Sequence, residues 1–203
     1  MDRIILASTS PRRRQILDQL RIPFLVFTEE MDENRFSSQR RRIRSLVMLI
    51  SRNKAQAAAT HFSNGLVLGA DTVVSFNRKV LGQPGSADDA RKYLRMLSGN
   101  THQVFSGITI LNTADGILYS SFSCTSVRFR RLSEKQISSY IERGEWSGKA
   151  GGYAIQGEAA LFVEGIIGSF YNVMGLPVEE LYRLLSKYDY FSSDGKYFPI
   201  RRV

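Results

Sequence analysis

Cysteine is almost missing from this sequence: Cys124 is the only one in 203 residues. A disulfide framework within the chain is thereby excluded, and a cysteine-based zinc site is argued against. Histidine is nearly as scarce, with only His61 and His102, too few for a His-rich metal site or paired-histidine chemistry. No apolar run approaches the ~20 residues of a membrane span. The opening residues hold only the short apolar stretch Ile4–Ala7 and lack the basic segment and long apolar segment of a secretory signal. The N-terminus is therefore expected to form a retained first strand, and the protein to be cytoplasmic. Neither a G-x-S-x-G elbow nor a G-x-x-x-x-G-K-[ST] loop occurs, so serine-hydrolase and P-loop chemistries lack their signatures. Internal repeats, low-complexity tracts and linkers are also lacking.

What is present is ordinary in bulk and unusual in charge. Apolar residues make up 43% and charged residues 23%, which is globular composition. The length suits one domain, or one two-lobed unit, able to bury a core. The net charge of +9 concentrates polyanions near the surface. Nucleic acid, nucleotides, acidic proteins and membrane surfaces all qualify, and charge alone does not choose among them.

The pattern predicts a buried strand over residues 3–7, then a helix from Pro11 to Leu20 capped by Ser10 with Pro11 first. A strand over Ile22–Thr28 and a polar loop over 29–38 follow. A long helix is expected from Gln39 to Phe62, with Ile43, Val47, Ile50, Ala57 and His61 as its apolar stripe. Leu66–Phe76 reads as a strand and Ser86–Leu97 as a helix with Asp88 and Asp89 in its first turn. Strands around His102–Asn112 and Ile117–Arg130 meet at the turn Ala114-Asp115-Gly116. A helix over Ser133–Arg143 leads to a glycine-rich stretch, then short strands at Leu161–Val163 and Phe170–Val173, then a helix over Pro177–Tyr188. The tail over 189–203 stays unplaced. The expected class is α/β with a mixed sheet.

Three places break local rules, as functional sites tend to do. In Ser8-Thr9-Ser10-Pro11-Arg12-Arg13-Arg14, three arginines occupy a helix start, where the dipole disfavours them by up to ~1 kcal/mol each. An anion there reverses that sign, and hydroxyls, free N–H groups and guanidinium forks make a phosphate cradle. A surface helix with solvated arginines explains the same residues about as well. Lys54 falls on the apolar stripe, where a lysine needs an anionic partner or snorkels at the stripe edge. Asp71, in Gly69-Ala70-Asp71-Thr72, interrupts a Val- and Leu-rich strand, although Asp is depleted in strands. Such a carboxylate is paired, holds a metal or acts as a base, unless it merely closes the strand. Glu33 offers a second carboxylate, and spacing alone makes it a loop acid. Together these parts suit metal-assisted hydrolysis of a phosphoanhydride, with Asp71 accepting the proton of the attacking water.

The same residues resemble the Maf family of nucleoside triphosphate pyrophosphatases, from Ile4 to about Leu185. The opening Ser8-Thr9-Ser10-Pro11-Arg12-Arg13 is similar to the family's S-x-S-P-R-R signature. Asn53-Lys54-Ala55, Gly69-Ala70-Asp71-Thr72, and Met96-Leu97-Ser98-Gly99 with Thr101-His102 follow in order. Lys149-Ala150-Gly151-Gly152-Tyr153-Ala154-Ile155-Gln156-Gly157 and Tyr171-Asn172-Val173-Met174-Gly175-Leu176-Pro177 complete the set. The resemblance implies one Maf-like domain over 1–203, two-lobed around a central cleft, with a fold like that of inosine triphosphate pyrophosphatases. It implies release of pyrophosphate from nucleoside triphosphates with a divalent cation, Mg2+ or Mn2+. Asp71 then matches the proton acceptor and Glu33 another cleft residue, and these two carboxylates are the expected metal ligands. Ser8, Arg13 and Lys54 match cleft residues, and Arg12, Thr72 and Gln156 match positions linked to substrate choice. The stretch ending in Gln156 resembles the branch acting on dTTP and UTP. The family is also linked to septum inhibition and cleansing of modified nucleotides, and suggests a homodimer.

Two positions depart from the family pattern: Gln83 stands where a lysine is usual before Pro84, and Gly148 where an aspartate is often found. Two rival readings remain. One is a hydrolase of non-standard purine nucleotides. The other is a nucleic-acid-binding regulator using Arg35, Arg40, Arg41, Arg42 and Arg44, with Arg201-Arg202. Those arginines lack interleaved stacking aromatics beyond Phe36, and a solvated helix start accounts for them better. Cys124 is expected to be structural, and Trp146 to pack a loop.

Overall fold

The computed structural model describes residues 4–28 and 42–191. The strands are β1 (Ile4–Ala7), β2 (Phe24–Phe27), β3 (Leu66–Phe76), β4 (Lys79–Leu81), β5 (Thr101–Asn112), β6 (Leu118–Phe129) and β7 (Val163–Ile167). They form one seven-stranded mixed sheet in the order β2-β1-β3-β5-β6-β7, with β4 paired to β3. The helices are α1 (Pro11–Gln19), α2 (Ile43–Ala59), α3 (Ala87–Leu97), α4 (Glu134–Glu142), α5 (Phe170–Met174) and α6 (Val178–Leu185). The fold is mixed α/β. The chain divides into two units: one takes the residues up to Asp71, Gly107–Phe122 and those from Leu176 on, the other Thr72–Ser106 and Ser123–Gly175.

In the first unit β1 lies between two parallel partners, with Ile4 beside Phe24 on one side and Leu66 on the other. All four of its residues are buried, as expected of a parallel strand covered on both faces. The connection β1–α1–β2 joins parallel neighbours through a helix, which such pairing requires, and α2 stands between β2 and β3, the two strands that flank β1. Ile5, Ala7, Val67 and Leu111 pack with Ala55 and Ala58 of α2 in one apolar cluster.

α2 differs from the expected stripe. Its buried residues are Leu46, Val47, Ile50, Ser51, Ala55 and Ala58, while His61 lies exposed beyond its end. The cause is close backbone approach. A Cβ added to Gly69 would strike the Ser51 carbonyl oxygen and lie 2.8 Å from the Ala55 nitrogen; one added to Gly107 would strike the Val47 carbonyl. The face that meets the sheet therefore keeps Val47 and Ile50 of the expected stripe but continues through the small residues Ser51, Ala55 and Ala58, which a count of large apolar residues misses.

In the second unit, β3 turns through Asn77 and Arg78, both at positive φ (49° and 64°), into antiparallel β4, with Phe76 beside Lys79. Two left-handed residues suit a tight hairpin, and the sequence reading did not anticipate β4. Ser86 and Ser133 cap α3 and α4; Gln136 completes a capping box at α4. The expected strand at Leu161–Val163 is instead the end of a 3-10 turn, Glu158–Phe162, followed by β7. The expected strand at Phe170–Val173 is α5. Ser169 caps it by accepting from the Asn172 N–H, and Gly175, at φ 116°, ends it in the left-handed region. Caps outweigh the strand preference of Phe170, Tyr171 and Val173.

His102 is buried against Phe129 and Tyr153, with centroids 4.9 and 5.4 Å away. Its Nε2 meets the Tyr153 hydroxyl at 2.8 Å. Burial lowers its pKa from 6.5 to about 4, so the folded state holds it neutral where the unfolded state begins to bind a proton. Stability is then full above pH 6.5 and falls as pH drops toward 4, by about 3 kcal/mol from this residue. Urea denaturation between pH 4 and 7 should show that slope, and His102→Gln should flatten it. Equal slopes for the two proteins would remove His102 from the pH dependence.

Candidate functional site

β1 ends at Ala7, which pairs with Gly69 of β3, two residues before Asp71. The chain then leaves the sheet through Ser8-Thr9-Ser10 into α1. Ser10 adopts an extended N-cap conformation, yet its side chain makes no capping bond. Ser8 organises the corner instead. Its Oγ accepts from the Ser10 N–H at 3.2 Å and from Arg13 Nη1 at 2.8 Å. A hydroxyl has two acceptor positions and one proton; with both positions used, its proton is left to donate. Arg13 is 8% exposed, Arg12 and Arg14 are half-buried, and α1 has no acid in its first turn. The arginines are thus not splayed into water. A buried guanidinium at the positive end of a helix is unfavourable unless an anion compensates it.

Asp71 sits mid-strand in β3 and is 6% exposed; it does not close the strand. Lys54 Nζ donates to Asp71 Oδ1 at 2.9 Å. Because α2 rests on the sheet at Gly69, its flank carries Lys54 directly to the acid. Among the described residues no donor reaches Asp71 Oδ2. One carboxylate oxygen is therefore fixed by a cation and the other is left for water or an ion.

The second unit holds the other expected residues. Thr72 Oγ1 lies 2.8 Å from Ser106 Oγ and donates toward the Gly175 carbonyl at 3.3 Å. Ser106 Oγ donates to the Asn172 carbonyl at 3.2 Å, and the fully buried Asn172 amide donates to the Val104 carbonyl and Thr125 Oγ1 at 3.0 and 2.9 Å. Ser106 and Asn172 were not foreseen as part of this network. Asn172 carried two signals, its place in the motif Tyr171–Pro177 and a polar side chain amid apolar neighbours. Gln156 is exposed on a turn, Gln83 is exposed, and Lys149 Nζ donates to the Ser147 carbonyl at 3.1 Å. Trp146 is half-buried and donates from Nε1 to the Ile141 carbonyl at 3.0 Å, a loop-packing role. Cys124 is exposed rather than a core residue, and partial burial raises its thiol pKa.

Glu33 and most of the basic cluster, Arg35, Arg40 and Arg41, lie outside the described residues. Among the described residues no three His, Cys, Asp or Glu side chains cluster to cage a metal, and no helix is long and apolar enough to cross a membrane.

Fold and site together define a mixed α/β protein with arginines at the first helix start and a buried acid, held by a lysine, on the neighbouring strand. The chain belongs to the Maf family: residues 3–188 match the family described as Maf-like protein. Curated relatives span nearly its whole length. A protein of Clostridium perfringens named dTTP/UTP pyrophosphatase is 46% identical over 188 residues, 92% of this chain and 97% of that protein. Proteins of the same name from Clostridium acetobutylicum and Bacillus cereus are 40% and 39% identical, covering 90% and 93% of this chain and 96% and 97% of theirs. A solved HAM1 protein from Coxiella burnetii aligns over 92% of this chain and all of its own, with a TM-score of 0.47 and 14% identity, too slight a likeness to argue from.

Proposed function

We propose that this protein hydrolyses nucleoside triphosphates to the monophosphate and pyrophosphate, with dTTP and UTP as preferred substrates. The observation that carries the chemistry is Asp71, buried in β3 with Lys54 on one oxygen and the other unused among the described residues. The family and its relatives' names supply the reaction class and the pyrimidine preference.

Ser8, Arg12, Arg13 and Lys54 are assigned to the triphosphate. The Ser8 proton and the arginine forks donate to phosphate oxygens, the pairing that guanidinium geometry favours. Asp71 Oδ2 accepts the proton of a water whose oxygen bonds to the α-phosphorus. The bond from that phosphorus to the bridging oxygen breaks, and its electron pair leaves with pyrophosphate. Lys54 fixes the carboxylate, so Oδ2 is presented in one orientation. Thr72 and Gln156 are assigned to base choice; a glutamine amide offers both a donor and an acceptor to a pyrimidine edge.

A lone carboxylate oxygen does not cage a cation, but Mg2+ is commonly held by one or two carboxylates together with substrate phosphates. The Asp71 carboxylate would take one such position through the Oδ1 lone pair that Lys54 leaves, and Glu33 is assigned a second, so that Oδ2 remains the proton acceptor. When bound, Mg2+ or Mn2+ neutralises phosphate charge and acidifies water. The proposed setting is the cytoplasm, with nucleotides rather than nucleic acid as the partner.

Pyrophosphate release from dTTP, UTP, CTP, GTP, ITP and 7-methyl-GTP, with and without Mg2+, tests the reading. Turnover of dTTP and UTP above the rest is expected; a clear purine preference overturns the pyrimidine assignment. Tight nucleic-acid binding without turnover of any triphosphate overturns the enzyme. Arg12→Ala should lower kcat/KM for dTTP by about 10- to 100-fold, the value of a charge-assisted hydrogen bond, with Tm little changed. An unchanged kcat/KM would free Arg12 from the phosphates.

A further inference from the structure

The turn bearing Gln156 is held on both sides by contacts with no part in phosphate chemistry. The Gly157 N–H donates to the Ala154 carbonyl at 3.0 Å, closing a turn with Ile155 and Gln156 at its centre. Ile155 is buried and Gln156 exposed. Ahead of the turn, the Ala154 N–H donates to the Tyr140 hydroxyl at 3.3 Å, and Tyr153 is tied to His102. After it, the Glu158 N–H donates to Glu145 Oε2 at 3.0 Å, and a Cβ on Gly157 would collide with that carboxylate. Along the chain Glu145 lies between Gly144, at φ 75°, and Trp146, whose Nε1 donates to the Ile141 carbonyl.

A surface glutamine on an ordinary loop needs no such support. A reading residue does, because a rigid turn sets how far a base edge stands from the amide and so separates a one-ring base from a two-ring base. A loose turn would meet both. We propose that Glu145 is a positioning residue for Gln156: its carboxylate holds the turn after Gln156 and thereby sets the preference for pyrimidine over purine nucleotides. This inference rests on the assignment of Gln156 to base choice.

The test measures kcat and KM with dTTP and ITP for the full chain and for Glu145→Ala, Glu145→Gln, Gln156→Ala and the double variant Glu145→Ala/Gln156→Ala. Glu145→Ala should lower the dTTP-to-ITP ratio of kcat/KM about tenfold, through KM rather than kcat. Glu145→Gln keeps an oxygen for the Glu158 N–H and should restore the ratio. On the Gln156→Ala background the second change should do nothing further, as for residues acting through one another. An unchanged ratio in Glu145→Ala, or an equal further loss in the double variant, overturns the positioning role. An unchanged ratio in Gln156→Ala sinks the base-reading assignment itself, and is distinguishable because Gln156 alone is altered. Should Glu145→Ala fail to fold, Gly157→Ala drives a Cβ against the same carboxylate. It should reproduce the loss, and a normal ratio there also overturns the proposal.

Discussion

Asp71→Asn should lower pyrophosphate release from dTTP by about a thousandfold, the middle of the range for removing a general base, while the fold persists. Asparagine has nearly the same shape, and its carbonyl oxygen can still accept from Lys54 Nζ, which stands 2.9 Å from Oδ1. The change leaves an amide where the proposed proton acceptor stood. Circular dichroism and Tm should stay near those of the parent, so loss of rate reports chemistry. The converse change, Lys54→Ala, strands a buried carboxylate and costs about 3 kcal/mol or more, which is why asparagine is the cleaner probe. Turnover of Asp71→Asn within tenfold of the parent would take Asp71 out of the base role.

Gly69→Ala should do more damage than its single methyl group suggests. The new Cβ meets backbone of α2, the Ser51 carbonyl and the Ala55 nitrogen, and backbone cannot rotate away as a side chain does. Overpacking against yielding neighbours costs ~1–3 kcal/mol. Here about 3 kcal/mol or more is expected, a fall in Tm on the order of 10 °C for a chain of this size. The helix must also lift, carrying Lys54 with it, and displacements near 1 Å at a site can cost about a hundredfold in rate. Surviving Gly69→Ala protein should therefore turn over dTTP at least tenfold more slowly. A Tm within 2 °C of the parent would show that α2 is not seated on this strand as described.

Several residues that the fold brings together were legible one by one. Asp71 stood out because a carboxylate is out of place in Leu66–Phe76, Lys54 because it lay near an apolar stripe, and Arg13 because it opposed its helix dipole. Each flag named a residue lacking something, and none named the partner. That Lys54 supplies Asp71, and Ser8 receives Arg13, depends on how α2 and α1 lie on the strands. The face of α2 was misjudged for a related reason. Periodicity counts large apolar residues, whereas this contact is made by Ser51, Ala55 and Ala58 against strands thinned by glycine. α5 was misread because Phe170, Tyr171 and Val173 prefer strands, although Ser169 and Gly175 already marked both ends of a short helix. Nothing local marked Glu145; its contact with the Glu158 N–H spans 13 positions.

The seating of α2 on Gly69 and Gly107 also governs how this sequence can drift. Greasy side chains trade places readily, since neighbours shift to absorb a lost or added methyl. Main chain touching main chain has no such slack. The bulky members of α2 away from the two glycine contacts, Leu46 and Ile50, are accordingly its exchangeable parts, and its smallest residues are the ones history should hold constant. One residue inserted between Ser51 and Lys54 would swing the ammonium about 100° around the helix axis. The distance between those two positions is thus as fixed a part of this protein as the lysine itself.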